Sequence, residues 1–290
     1  MRDWQDTLGC PYCSGSLRLL DEEGLCCPHC GCQFIFRSRT PALMRAEDAT
    51  MAAEFAAGYR QDRLNEGWRP IPRAQALDLP FSRPAGYPPG YWELRTQTYR
   101  ALAGLLAREG PLPDAGPAAD LGAGTGWLSH RLAQQGYQAF AVEVSLDEDF
   151  GLGASSVYFE SSHGLLAPVQ GSLEFPPFQL GSLSLILFNA SLHYAQDLGA
   201  TLHRAAQAMK PEGRLVIMDS PISRLPQPGT GRGDRHLGRQ ELDDALSRVG
   251  LIPRWITVRR GPQWWAYQLR AWLKRKELFS FPMVVAERGE

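Results

Sequence analysis

What the chain lacks bounds it first. All six cysteines fall between Cys10 and Cys32, and the remaining sequence has none. A disulfide framework spread over the fold is thereby excluded, and a local thiol cluster is left. No apolar run comes near the ~18–20 residues of a membrane span. The opening residues, M-R-D-W-Q-D, hold no apolar leader segment, so a cytoplasmic location is expected. Charge of one sign is also missing: 30 Lys and Arg stand against 31 Asp and Glu, a net of −1. No global basic field therefore draws the chain to nucleic acid or to anionic lipid. What remains, 290 residues with an apolar fraction of 44%, suits one α/β domain with a small appendage.

What is present centres on Ala118–Gly126, A-A-D-L-G-A-G-T-G. An apolar run leads into Asp120, glycines follow at 122, 124 and 126, and W-L-S-H-R-L-A then has helical spacing. That is a strand, a tight turn and a helix. Glycine is needed where a backbone turns sharply and must admit a ligand without a Cβ in the way. The first N–H groups of the following helix favour a polar or anionic group. A second strand, Gln138 to Val142, ends at Glu143, 21 residues after Gly122, where a carboxylate is placed to accept from a ribose. The alternative is a βα turn that needs glycine only for packing. The spacing G-x-G-x-G counts against a dinucleotide, whose pyrophosphate uses G-x-G-x-x-G.

D-L-G-A-G-T-G with Glu143 resembles the cofactor loop of the class I S-adenosylmethionine-dependent methyltransferases. Three later stretches carry the same resemblance. Gly171–Phe178, G-S-L-E-F-P-P-F, looks like the segment that meets the adenine; Leu187–Tyr194, L-F-N-A-S-L-H-Y, looks like the tip of the fourth strand; Met209–Asp219, M-K-P-E-G-R-L-V-I-M-D, looks like the turn into the fifth. The resemblance covers about residues 118–220. It implies a Rossmann-like α/β fold with a mostly parallel seven-stranded sheet, and S-adenosylmethionine as cofactor. At that cofactor it puts Asp120, Leu121, Gly122, Ala123, Gly124, Gly126, Glu143, Val144, Ser172, Leu173, Asn189 and Ala190, with the loop amides clasping the amino-acid tail. Ser172 departs from the family's usual aspartate; its hydroxyl accepts from an adenine amino group but brings no charge.

Upstream, C-P-Y-C at 10–13 and C-P-H-C at 27–30 each put two thiolates on one tight turn. Two such knuckles face to face give the S4 set that Zn²⁺ accepts, so Cys10, Cys13, Cys27 and Cys30 are the expected ligands of a zinc ribbon. Ser16–Leu20 and Gly24–Cys26 are its expected hairpin arms. Exchange of His29 or Cys26 into the shell, with Cys32 spare, and a pair of disulfides are the alternatives. A ribbon this small folds on its metal, and a closed S4 site has no chemistry of its own. Its apolar end, Phe34-Ile35-Phe36, is available to dock on the main domain.

Between ribbon and glycine loop, Ala46–Trp68 reads as an amphipathic helix with Met51, Phe55, Tyr59 and Arg63 at four-residue steps. In many methyltransferases of this class such a helix closes over the cofactor, which would bring Tyr59 or a neighbouring arginine to its methionine end; the alternative is packing on the outside. Six prolines make Gly67–Gly90 an irregular segment. Tyr91–Arg108 is a helix whose Trp92 and Arg95 face the cofactor mouth. A short acidic helix is expected from Leu146. The further strands are expected at Ala167–Gln170, Leu183–Phe188, Arg214–Met218, Leu251–Val258 and Phe281–Ala286. The domain division is 1–45, zinc ribbon; 46–90, helix and linker; 91–290, methyltransferase.

Methyl transfer needs acceptor and methyl held in line, and a base only when the acceptor starts protonated. Ligands in open parallel sheets bind beyond the carboxyl ends of the strands. His193 is the candidate base there and Tyr194 the candidate orienting group; the alternative for His193 is helix capping or packing. The loop Ser223–Arg239, with Arg224, Arg232, Arg235 and Arg239, is either solvated or an anion-catching lid. Trp264–Lys276 puts Trp265, Leu269, Trp272 and Leu273 on one helical face beside Arg270, Lys274, Arg275 and Lys276. It either packs on the core or makes peripheral membrane contact. The expected function is methyl transfer to a small or lipid-linked molecule. The rivals are an RNA methyltransferase whose ribbon reads nucleic acid, which the near-zero net charge disfavours, and a non-catalytic cofactor-binding subunit. Oligomeric state is not legible.

Overall fold

The computed structural model describes residues 6–20, 24–108, 116–228, 234–261, 264, 265, 269, 273 and 278–289. A seven-stranded sheet forms its centre. Its strands are β5 (Pro117–Leu121), β6 (Gln138–Glu143), β7 (Leu166–Gln170), β8 (Leu183–Asn189), β9 (Met209–Met218), β13 (Leu251–Ile256) and β14 (Met283–Arg288). Their spatial order is β13-β14-β9-β8-β5-β6-β7. Every pairing from β7 to β9 is parallel, and β14 runs antiparallel to both β9 and β13. The chain runs outward from β5 through β6 to β7, then returns to β8 on the other side of β5. That reversal opens a crevice at the carboxyl ends of β5 and β8.

Burial follows the strand period of two. On β8, Ile186 and Phe188 join one core cluster while Leu185 and Leu187 join the other, and Leu183, before the register shift, falls out of phase with them. A strand buried on both faces needs apolar residues at nearly every position, as Leu183 and residues 185–188 supply. The helices α5 (Leu198–Ala208) and α6 (Arg239–Arg248) contribute to the first cluster; α3 (Tyr91–Arg108) and α4 (Trp127–Gln134) contribute to the second.

The ribbon is an antiparallel sheet of β1 (Arg18–Leu19), β2 (Gly24–Cys26), β3 (Gln33–Arg37) and β4 (Thr40–Pro41). Phe34 is buried, whereas Ile35 is exposed. The ribbon is not a separate bead. Leu8, Leu25, Phe34 and Leu43 lie in the same core cluster as Phe140 and Phe178. Leu8 bridges Phe178, Ala42 bridges Gln170 at the β7 edge, and Leu43 N donates to Gln170 O at 2.8 Å. Gly9 is required at this seam, because a Cβ there meets the Phe178 carbonyl carbon at 2.5 Å.

Several expected elements shift. The proline-rich segment holds a short helix, α2 (Arg73–Leu77), started by Pro72 as N-cap; proline's fixed φ suits a helix start, and the proline-free stretch between Pro72 and Pro80 leaves room for it. In place of an acidic helix from Leu146, two 3-10 turns form at Leu152–Tyr158 and Glu160–Ser162. β9 begins at Met209 rather than Arg214, because Met209 pairs with Leu183 across a bulge that absorbs Lys210–Gly213. α1 (Ala46–Asn65) buries only Ala52 fully, so it is not a core-packed amphipathic helix. Ser223–Arg239 carries strands β10 (Ile222–Ser223), β11 (Gln227–Pro228) and β12 (Arg235–Gly238). There Arg235 pairs with Glu241 at 2.7 Å and Arg239 stacks on Trp255, while Arg232 lies outside the described residues. Of the 264–276 stretch, Trp272 and the four cations also lie outside them; Trp265, Leu269 and Leu273 are exposed. Among the described residues no helix is long and apolar enough to cross a membrane.

Candidate active site

β5 ends at Leu121 and the chain turns through Gly122, Gly124 and Gly126, all at positive φ. Gly122 cannot be replaced without movement: its φ is +76° and a Cβ would meet Ser191 Cβ at 2.4 Å. The loop amides are used inside the chain. Gly122 N and Ala123 N donate to Val142 O, Gly126 N donates to Ala123 O, and Gly124 N donates to Glu143 Oε2 at 3.1 Å. The expected clasp of a ligand's tail by these amides is therefore not what the geometry offers; they hold the loop rigid instead.

Glu143 closes β6 with its other oxygen accepting from Ser145 N at 3.1 Å. Burial raises its carboxyl above the usual range, and the N–H donors pull the other way. A carboxylate has about four acceptor sites, so two bonds leave lone pairs free toward the cleft. Asn189, at the end of β8, has a buried Oδ1 with no partner. Ala190 follows at φ +54°, and the Ser191 hydroxyl donates to Leu121 O, tying the β8 end to the β5 end.

Two arms of one cleft meet at this point, sharing Tyr59, Gly122, Gly124, Phe150 and Ala190. The first arm adds Glu143, Val144, Ser172, Leu173 and Tyr194, roofed by Met51 and Phe55 of α1. The second adds Ala123, Asn189, Arg95, Tyr91 and Trp68. Three of the expected cofactor residues do not line either arm. Asp120 is buried beneath the loop, Leu121 is fully buried, and Gly126 is the N-cap of α4. Arg95 is already engaged, donating to Asp219 Oδ2 at 3.2 Å and to the Tyr91 hydroxyl at 2.6 Å. Thr98 and Arg260 also reach Asp219, so α3 is moored to the end of β9. Phe55, Tyr59 and Tyr194 form an aromatic trio with centroids 5.5–6.5 Å apart. Ser191, Phe150, Tyr91 and Phe55 were not singled out as site residues from sequence; only Phe55, on the same four-residue stripe as Tyr59, carried a readable signal.

His193 turns away from the cleft. It is 7% exposed, lines neither arm, and its Nδ1 is 3.2 Å from Ser220 Oγ. Burial, with Arg95 nearby, drops its pKa to about 3. Tyr194 does line the first arm, and burial pushes its hydroxyl up to about 12.

Asp120 accepts from Ser129 Oγ at 2.9 Å, its second oxygen has no partner, and burial lifts its pKa to about 7. In the unfolded chain it ionises near ~3.9. Between those values the folded state holds a proton that the unfolded state has lost, so stability falls as pH rises through that window. Asp120→Asn is expected to remove this term: relative to wild type it gains roughly 1 kcal/mol per pH unit between pH 4 and 7. Melting curves of both proteins from pH 4 to 8 check it. The buried His130 and His193, lowered to about 4 and about 3, act oppositely below ~6.5 but cancel in the difference between the two proteins.

The ribbon thiols pass a separate fit test. Cys10 Sγ and Cys30 Sγ are 3.6 Å apart, Cys13 Sγ and Cys27 Sγ 3.5 Å, and all four lie within 4.8 Å of one another. All four thiols are free, and these separations sit close to the edges of a tetrahedral Zn–S4 site, about 3.8 Å. Ser14 and Gly31, each just past a knuckle, take positive φ and let the turns close. Cys26 and Cys32 are free thiols outside the four.

A sheet of this order with one reversed strand, and a glycine loop facing a carboxylate where the strand order turns back, define the class I methyltransferase fold. The chain belongs to the methyltransferase-domain family, which it matches over residues 91–274. It is 28% identical over 174 residues to malonyl-[acyl-carrier protein] O-methyltransferase of Hahella chejuensis (strain KCTC 2396), covering 53% of this chain and 60% of that protein. The chain thus spans less than two thirds of that relative's length. In fold it is similar to 1,6-didemethyltoxoflavin-N1-methyltransferase of Burkholderia thailandensis, solved with 1,6-didemethyltoxoflavin and S-adenosylhomocysteine. There the TM-score is 0.53 at 16% identity, over 94% of this chain and 99% of that one. Geranyl diphosphate C-methyltransferase of Streptomyces coelicolor A3(2), solved with Mg²⁺, geranyl diphosphate and S-adenosylhomocysteine, is similar too. Its TM-score is 0.55 at 18% identity, over 82% and 98% of the two chains.

Proposed function

We propose that the protein is an S-adenosylmethionine-dependent methyltransferase acting on a small or lipid-linked acceptor. The observation that carries this is Glu143, pinned opposite the glycine loop by Gly124 N and Ser145 N with acceptor sites to spare. The bound cofactor would supply an activated methyl on a sulfonium. Glu143 accepts from its ribose diol, Ser172 and Leu173 border its adenine, and the orphaned Oδ1 of Asn189 takes the α-ammonium at its other end. Asp120, Leu121 and Gly126 act from beneath by shaping the loop.

The acceptor faces the Phe55–Tyr59–Tyr194 trio. Neither expected group serves as a base there: His193 is buried and neutral, and the Tyr194 hydroxyl keeps its proton at physiological pH. His193 is thus proposed as a packing residue and Tyr194 as the orienting one. The acceptor brings its own lone pair, as a carboxylate, thiolate, free amine or stabilised carbanion. The oxygen and nitrogen acceptors named for two of the relatives fall within that range, and the exposed Trp265, Leu269 and Leu273 edge supports a lipid-linked member of it. Division at 45 and 90 is kept as a boundary of function: ribbon, lid with linker, and catalytic domain. A four-thiol cluster suits a reducing compartment, hence the cytoplasm.

Calorimetry with S-adenosylhomocysteine tests the reading. One site per chain is expected, and Glu143→Gln is expected to weaken it on the order of 10- to 100-fold by loss of charge-assisted bonds. Steady S-adenosylhomocysteine formation with cell extract then separates an enzyme from a cofactor-binding subunit. Absence of binding heat in wild type rejects the reading.

A further inference from the structure

The motif C-P-Y-C has a residue that metal binding does not use. Tyr12, between the first two thiols, reaches out of the ribbon to α1. Its hydroxyl accepts from Ala46 N at 2.8 Å and donates to Glu47 Oε2 at 3.0 Å. A helix start has orphan N–H groups that its N-cap side chain normally satisfies. Arg45, the N-cap of α1, makes no such bond; its guanidinium is spent on Asp48, at 2.6 and 2.7 Å, and on the Phe175 ring, 3.2 Å away. Tyr12 is the substitute cap, supplied across 34 residues of sequence.

α1 is the roof of the cleft, through Asp48, Met51, Ala52, Phe55, Ala56 and Tyr59. It buries one residue, Ala52, and otherwise leans on the cleft through Phe55 and Tyr59 against Tyr194, so the contact at its start bears on where it sits. Toward its C-terminal end it is latched by the half-buried Arg60 to Asp147 and Asp149 at 3.1 and 3.0 Å, which leaves the N-terminal end to Tyr12. The ribbon also holds the opposite wall. Gly9 N donates to Pro177 O, Gln179 N donates to Thr7 O, and Leu43 N donates to Gln170 O, directly flanking Gly171–Glu174 of the first arm.

We infer that the metal ribbon is a positioning element of the cofactor cleft: Tyr12 sets the lid helix α1, so metal occupancy and cofactor binding are thermodynamically coupled. Tyr12 is a positioning residue and touches neither methyl nor acceptor. The inference rests on the cofactor reading above.

Tyr12→Phe removes only the hydroxyl. With zinc content measured at one per chain, it is expected to bind S-adenosylhomocysteine on the order of three- to tenfold more weakly than wild type. Amide hydrogen exchange over 46–50 speeds up while that of β5 and β8 does not. Coupling is reciprocal, so in wild type S-adenosylhomocysteine shifts the equilibrium of zinc between the ribbon and a chromogenic chelator toward the ribbon by several-fold. That second measurement needs no variant and decides the matter if Tyr12→Phe loses its zinc. Equal affinity in zinc-loaded Tyr12→Phe and wild type, or a zinc equilibrium indifferent to S-adenosylhomocysteine, overturns this inference alone. Absence of binding in wild type removes the cofactor reading and this one together.

Discussion

Gly122→Ala is expected to abolish measurable binding of S-adenosylhomocysteine while the sheet stays folded. Two costs add at that position. An L-residue at φ +76° carries about 1–2 kcal/mol of backbone strain. Its Cβ, 2.4 Å from Ser191 Cβ, adds about 1–3 kcal/mol of overpacking. Relief comes most readily by moving Ser191 and Ala190, which line the cleft. A misplacement of the β8 end worth the upper part of that sum, about 4–5 kcal/mol, is a loss in affinity of about a thousandfold or more, which takes a micromolar ligand out of calorimetric range. Gly181→Ala is the control: φ there is +63°, nothing lies within 4 Å of the added carbon, and the site is remote from the cleft. Calorimetry should find full binding in the control and none in Gly122→Ala. Equal binding in both would mean that the loop does not hold the ligand.

The second large effect concerns the metal. Cys27→Ser removes a ligand that is fully buried in the core shared by ribbon and sheet. Metal binding in small S4 sites is folding free energy on the scale of about 10 kcal/mol, so the ribbon is expected to come apart. Because Leu8, Leu25, Phe34 and Leu43 pack in the same cluster as Phe140 and Phe178, the damage spreads to the sheet. Calorimetric melting should show one cooperative transition in wild type. In Cys27→Ser, or in wild type treated with chelator, its midpoint should drop by about 10 °C, equivalent to roughly 3–5 kcal/mol at this size. Two transitions in wild type, the upper one untouched by chelator, would instead make the ribbon an independent unit.

The sheet was readable because its signals are local. β8 announces itself by an apolar run broken only at Ser184, and the turn after β5 by three glycines that all take positive φ. The four thiols were readable from spacing alone, and they converge within 4.8 Å. What sequence did not disclose depends on distant partners or on direction. α2 is five residues wedged into a proline-rich stretch, too short for a periodicity. The early start of β9 needs a bulge opposite Leu183, which no pattern in 209–213 encodes. His193 and Tyr194 are neighbours, yet the 3-10 turn Leu192–Tyr194 sends one into the protein and the other to the cleft. The same holds for Asp120, whose adjacency to the glycine loop hid its place underneath it, bonded to Ser129. Tyr12 is legible only once α1 is seen above it.

The reversed strand β14 bears on how the molecule is made. It is synthesised after every other strand of the sheet, yet it sits between β9 and β13. While the ribosome is still reading toward Met283, β9 presents a bare row of backbone donors and acceptors on that side, and β13 has no neighbour at all. A nascent chain in that condition is sticky in the manner of any open sheet edge. Slow translation of 257–282, or a stop codon within it, therefore selects for aggregation of the emerging polypeptide well before the cleft has any work to do.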